Sequence, residues 1–246
     1  MRYLDFYATS VIISVHLNKI RWLAIDIDGT ITVNGNGMVN LEALSKLRFL
    51  VKLGYKVIYV TGRSSLEAFS LAVFGGTTQI AIGENGGVIS TSPIKHEILA
   101  SREKCKKGLQ ILENHLENVS EKPVFPRMSE IVLERSFDIK KANQLFREKA
   151  PELTIVDSQY AFHINESNIN KGTGLEHLMK SFNIKSDGIV TIGDSITDVP
   201  MFKKTEYSIT FENSESDVQN NATFVVKGSN GEGLVNAINL IVCNKV

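Results

Sequence analysis

The chain has 246 residues, room for one large domain or two small ones. Apolar residues make up 43% and charged residues 22%, which excludes a disordered chain and permits a proper core. Lysine plus arginine equals aspartate plus glutamate at 27 each, so no global field draws in nucleic acid or an anionic membrane, and neither partner is expected. Any anion must be bound by a local site.

At the N-terminus, Ser10 to Leu17 (SVIISVHL) is apolar but short, and Arg2 and Asp5 precede it without a clear small-residue cleavage site after it. A secretory signal is therefore not expected. No run of about 20 apolar residues is present for a membrane span. Residues 1–18 read as an extra strand or a tail. Cys105 and Cys243 lie far apart, with no metal-type or redox-type spacing, which suits a reducing cytoplasm as the expected location.

From Trp22 to Ile27 the chain reads as a buried strand. Leu41, Leu44, Leu47, Leu50 and Val51 recur at helical spacing before Gly54, so 41–53 reads as a helix with its stop. Lys56 to Val60 is the next strand, Ser65 to Phe74 a helix, and Gln79 to Ile82 a third strand closed by Gly83–Gly87 (GENGG). Strands separated by helices imply a parallel sheet with right-handed crossovers. Between about 88 and 167 the order changes to helix (103–118), strand (130–134), helix (139–149) and a strand pair (153–156, 160–164). The first pattern then resumes: helix 171–182, strand 188–192, a helix starting at 199–202, short strands at 207–210 and 223–226, and a closing helix over 234–242. The reading is one doubly wound α/β domain, residues 1–87 and 168–246, split by an inserted α+β domain, residues 88–167.

Four pieces fall at strand ends, where open parallel sheets place their ligand sites. They are Asp26 and Asp28 in AIDIDGT, Thr61 in VTGR, Lys171, and Asp194 and Asp198 in GDSITD. Each has an ordinary structural reading. Asp28-Gly29 suits a turn. Thr61 is a β-branched residue ending a strand. Lys171 is one of many lysines. Ser195 and Asp198 have capping-box spacing. One chemistry explains them together. A carboxylate can attack phosphorus, but anion repels anion, so the site needs cations and donors. Magnesium takes oxygen ligands, which Asp26 and Asp194 can supply with Asp198 beside them. Lys171, at a helix start, is poorly placed for the helix dipole unless an anion lies between them. Thr61 and neighbouring backbone N–H groups can donate to the same anion, and Asp28 can handle protons.

The ordered set AIDIDGT, VTGR, Lys171 in NKGTGLEHL and GDSITDVPMF resembles the motifs of the haloacid dehalogenase-like phosphatases, over about two thirds of the chain. ENGGVI followed by an α+β insert between the second and third motifs resembles the branch with a C2-type cap. That branch includes sugar-phosphate phosphatases, phosphomannomutase and the archaeal phosphoglycolate phosphatases, and the compact cap is most similar to the last group. The resemblance implies a Rossmann-like core, a Mg2+ cofactor and an aspartyl-phosphate intermediate. It implies Asp26 as nucleophile and metal ligand, and Asp28 as acid/base with its backbone carbonyl on the metal. Asp194 and Asp198 are the further metal ligands, and Thr61, Gly62, Arg63 and Lys171 hold the substrate. Many members have asparagine where this chain has Thr197. Within the cap, Arg127, Glu134, Arg135, His163 and Asn165 are candidates to contact the leaving group. The expected substrate is a small phosphorylated metabolite, with 2-phosphoglycolate favoured and a sugar phosphatase or phosphomutase as the alternative. A non-catalytic phospholigand module fits less well, because both aspartates of the first motif are present. Monomer and homodimer both remain open.

Overall fold

The computed structural model describes residues 19–33 and 37–243. The expected extra strand or tail over 1–18 lies outside the described residues.

Six parallel strands form the body of the main sheet: β1 (Trp22–Ile25), β2 (Lys56–Val60), β3 (Ala81–Gly83), β9 (Ile189–Ile192), β10 (Tyr207–Phe211) and β11 (Phe224–Val226). Their order is β11-β10-β9-β1-β2-β3. The winding reverses between β1 and β9, so the carboxyl ends of these two strands frame a crevice. Alternate strand residues serve opposite faces. Leu23, Ile25, Val57 and Tyr59 pack under α1 (Leu41–Lys52), α2 (Ser65–Gly75) and α8 (Asn230–Cys243). Ala24, Ile58 and Val60 pack under α5 (Lys171–Ser181), α6 (Val199–Phe202) and α7 (Ser216–Asn221). The helices start where local chemistry satisfies their first N–H groups. Asn40 caps α1, and Ser64 and Glu67 form a capping box on α2.

The expected domain boundary at residue 88 falls inside this sheet. Val88–Ser92 forms β4, antiparallel to β3, and Lys95–Ile98 forms β5, antiparallel to β4, so among the described residues the main sheet has eight strands. Pro93-Ile94 is the turn between them, and the short polar β5 gave no strand pattern to read. The inserted domain proper begins after β5. It holds a three-stranded antiparallel sheet, β6-β8-β7, made of β6 (Ile131–Leu133), β7 (Leu153–Asp157) and β8 (Phe162–Glu166). On one face lie α3 (Arg102–Glu113) and α4 (Ile139–Lys149), whose Leu109, Leu112 and Phe146 meet Ile131, Leu133, Ile155 and Ile164 in a separate core. Helix α3 stops five residues short of the expected 118, and α7 went unread because six residues are too few to show a helical period.

Among the described residues, no helix is long and apolar enough to cross a membrane.

Candidate active site

The crevice at the ends of β1 and β9 gathers all four motifs. Asp26 follows β1, and its N–H donates to the carbonyl of Ile192 in β9 (2.9 Å). Asp26 is 3% exposed and Lys171 4%. Lys171 is the first residue of α5, where the Asn170 side chain accepts from the N–H groups of Gly172 and Thr173. From there its Nζ donates to Asp26 Oδ1 (2.7 Å) and Asp198 Oδ1 (2.6 Å). The other oxygen of Asp198 accepts from the backbone N–H groups of Asp194 (3.1 Å) and Ser195 (3.0 Å) and from Ser195 Oγ (3.0 Å). The capping box and the contact with Lys171 therefore use different oxygens of one carboxylate, so the capping-box spacing leaves an oxygen facing the cluster. Thr197 donates to or accepts from Ser195 Oγ (2.7 Å), so the hydroxyl that stands in place of the common asparagine still ties the loop together.

Gly29 explains the Asp-Gly pair. Its φ is +82°, and a Cβ there would run into the Asp194 carboxylate. The turn is real, and the glycine is what lets the fourth motif approach the first. Thr30 Oγ1 then donates to Asp194 Oδ1 (2.9 Å).

One carboxylate oxygen from each of Asp26, Asp194 and Asp198 lies within 4.8 Å of the others. Ionised together, three carboxylates would exceed the one ammonium by two negative charges. The electrostatics follow from that. Burial, and then the neighbouring Asp198 and Asp194, hold the Asp26 carboxyl well above the ordinary range, against the pull of Lys171. Burial and Asp198 push Asp194 up to about 7. Burial disfavours the Lys171 charge, but Asp198 and Asp26 outweigh it, so its ammonium is held more firmly than usual.

Thr61, at the end of β2, is 1% exposed. Its Oγ1 accepts from Arg63 N–H (3.1 Å), and its carbonyl accepts from Asn85 N–H (3.1 Å). Arg63 grips Asp28 in a bidentate pair, Nε to Oδ2 at 2.7 Å and Nη2 to Oδ1 at 2.8 Å, and also reaches Glu67 Oε1 at 3.1 Å. Both members of the pair are about one third exposed, at the mouth of the site. The expected substrate contact Arg63 is thus held against the expected acid/base.

The cap candidates separate. Glu134 pairs with Lys122, and Arg135 with Asp157, at partly exposed positions of the cap. Arg127 Nη1 donates to the carbonyl of Gly62 (2.7 Å) and to Glu130 Oε1 (2.8 Å). His163 is buried, with Nδ1 3.1 Å from Glu130 Oε2 and Nε2 3.0 Å from Ser158 Oγ. Asn165 is buried beside it on the same face of β8. Sequence reading missed Thr30, Glu67, Glu84 and Glu130. Glu67 carried a signal, its capping-box spacing from Ser64. Glu84 lay in ENGGVI with no role assigned to it, and Glu130 carried no signal, because a carboxylate that is fully buried by tertiary contact looks like any surface glutamate in a sequence.

Comparison with known proteins agrees with this geometry. The family of haloacid dehalogenase-like hydrolases matches residues 23–123 and 114–238. A protein of Nitrosopumilus maritimus named phosphoglycolate phosphatase is 50% identical over 89% of this chain and 95% of its own. Its namesake in Methanosarcina mazei is 34% identical over 92% and 98%. Among solved structures, a Thermoplasma acidophilum protein superposes with a TM-score of 0.80 at 23% identity, over 90% of this chain and 99% of its own. A haloacid dehalogenase-like hydrolase from Bacteroides thetaiotaomicron gives 0.74 at 16%, with the same coverage. The motifs, the doubly wound core with its inserted cap, and the extent of these matches make this chain a member of the haloacid dehalogenase-like hydrolase family.

Proposed function

We propose that the phosphatase activity of this chain is directed at 2-phosphoglycolate, depends on Mg2+ and runs through an aspartyl-phosphate on Asp26. The observation that carries the reading is the cluster of buried Asp26, Asp198 and Lys171 with half-buried Asp194. Its donor set is all carboxylate oxygen, which suits a hard divalent cation, and the negative charge that these carboxylates carry beyond one ammonium when ionised is what such a cation would balance. Asp26, Asp194 and Asp198, with the backbone carbonyl of Asp28, would hold it. When bound, Mg2+ supplies a Lewis acid that neutralises charge on the transferring phosphoryl group.

The chain's own groups do the rest. Lys171 and the Thr61 hydroxyl, with the backbone N–H of Gly62, hold the phosphate oxygens and orient the phosphorus in front of Asp26. An Asp26 oxygen attacks phosphorus, and the bond from phosphorus to the ester oxygen breaks. Asp28 gives its proton to the leaving alkoxide, so glycolate departs and the aspartyl-phosphate remains. Asp28 then takes a proton from a water as that water attacks phosphorus. Phosphate leaves, and Asp26 is again a free carboxylate. The cap meets the core at Gly62 and Glu84, beside the phosphate loop, and the close relatives named phosphoglycolate phosphatase support the choice of leaving group. The family resemblance and the two cysteines without metal-type or redox-type spacing support a cytoplasmic setting.

Phosphate release from a panel of small esters tests the reading. The expected result is turnover of 2-phosphoglycolate above sugar phosphates, abolished by excess chelator and restored by Mg2+. Turnover indifferent to chelator, or phosphoryl transfer to a second sugar hydroxyl without free phosphate, would overturn it.

The raised carboxyls also predict how stability varies with pH. Asp194 has a folded-state value of about 7 against an ordinary 3.8. Between those values the folded chain holds a proton that the unfolded chain has released, so metal-free stability falls as pH rises through that window. Thermal melts of chelator-treated protein should show a falling melting temperature from about pH 4 to about pH 7. Added Mg2+ should raise the melting temperature more at about pH 8 than at about pH 5, because the cation competes with protons for the same oxygens. An Mg2+ effect independent of pH would contradict the ligand set.

A further inference from the structure

The Gly62–Arg63 peptide is pinned at both ends. Its N–H, on Arg63, donates to Thr61 Oγ1 (3.1 Å), and its carbonyl, on Gly62, accepts from Arg127 Nη1 (2.7 Å). The first bond occupies a lone pair of the Thr61 hydroxyl and leaves its hydrogen to be donated elsewhere. The second bond comes from the cap, across 65 residues of chain. Arg127 is itself held. Its side chain is 7% exposed, and the same Nη1 reaches the fully buried Glu130 (2.8 Å). The other oxygen of Glu130 takes His163 Nδ1 (3.1 Å) and Asn85 Nδ2 (3.4 Å). On the far side of Arg127, the Glu84 carboxylate accepts from Met128 N–H (2.9 Å), Ser129 N–H (2.7 Å) and Ser129 Oγ (2.8 Å), which fixes the cap backbone to the core. Glu84, Asn85 and Gly86 all have positive φ (54°, 54° and 103°), a costly turn for the two non-glycine residues. That turn aims Glu84 at the cap and Asn85 N–H at the Thr61 carbonyl.

We propose that Arg127 is a positioning residue for the phosphate loop: it orients the Gly62–Arg63 peptide and, through it, the Thr61 hydroxyl, so that the cap sets phosphate affinity as well as covering the leaving group. This rests on the phosphatase reading, in which Thr61 holds the phosphate. It differs from a leaving-group contact in what it predicts. A residue that touches the leaving group affects one class of ester. A residue that sets the phosphate loop affects every ester and inorganic phosphate alike.

The test measures competitive inhibition by inorganic phosphate, with kcat and KM on 2-phosphoglycolate and on p-nitrophenyl phosphate, which has no carboxylate. Arg127→Ala should weaken phosphate about 10-fold, the scale of one charge-assisted hydrogen bond, and lower kcat/KM on both esters by a similar factor. Arg127→Lys keeps a donor for the Gly62 carbonyl and should recover part of the loss. In a Thr61→Val background the Arg127 effect on phosphate affinity should vanish, because two residues acting through one hydroxyl are not additive. A general loss of packing would persist in that background. If Arg127→Ala does not fold, Arg127→Lys and Glu130→Gln make the same comparison in the same Thr61→Val cycle. Unchanged phosphate affinity, with KM raised only for 2-phosphoglycolate, would overturn the proposal. So would an Arg127 effect that survives without the Thr61 hydroxyl. Wild-type protein that hydrolyses no ester would instead overturn the phosphatase reading.

Discussion

Asp26→Asn should abolish phosphate release while leaving the fold intact or more stable. Asparagine keeps the shape and still offers Lys171 an oxygen, but it has no free carboxylate to attack phosphorus. Loss of an activated nucleophile costs on the order of 10^4-fold or more in turnover. The stability side has the opposite sign. Asp26 is a buried carboxyl that burial and two neighbouring aspartates push well above its ordinary range, so its charged form is a burden on the metal-free fold. A neutral amide removes that burden. Steady-state phosphate release and a thermal melt at about pH 7 in chelator check both halves. Near-normal turnover would show that Asp26 is not the nucleophile, and a large fall in melting temperature would show that its charge is part of what holds the crevice together.

Lys171→Met should damage both fold and function. The ammonium touches Asp26 and Asp198 at 2.7 and 2.6 Å, with all three side chains almost fully buried. Removing one partner from a buried ion cluster costs about 3–5 kcal/mol, because the remaining charges are left without compensation. The loss has a pH signature. Without the ammonium, the Asp26 carboxyl, already raised by burial, holds its proton to still higher pH in the folded state, so the deficit grows as pH rises. Differential melts of the variant and the parent should diverge more at about pH 8 than at about pH 5. Turnover should fall about 10^3-fold, the scale of losing a preorganised donor to the transferring group. A deficit equal at both pH values would mean that Lys171 stabilises by packing alone.

Much of this site could be read from the sequence, for a physical reason. A doubly wound sheet sends its strand ends to one edge, so residues that follow strands in sequence meet in space. That is why Asp26, Thr61 and Asp194 could be assigned from strand positions, and Lys171 from its place at a helix start. The Asp28-Gly29 pair read both ways, as a turn and as chemistry, and Gly29 makes it both. The seam between cap and core was not legible. It depends on Glu84 and Glu130, whose burial is a property of two chain segments meeting 45 residues apart. Arg63 was assigned to substrate from its neighbour Thr61, but a local motif does not show that its fork lies on Asp28. The boundary at 88 failed for a related reason. β4 and β5 belong to the core through cross-strand hydrogen bonds, and the exposed Lys95–Ile98 strand has no apolar alternation to announce them.

The most direct measurement is a single turnover with 2-phosphoglycolate and Mg2+, quenched in acid and digested for mass spectrometry. The peptide that carries Asp26 should gain the mass of one phosphoryl group, transiently and in the wild-type chain but not in Asp26→Asn. Phosphate release with no phosphorylated peptide at any time point, or with the group on another residue, would contradict a reaction that passes through Asp26.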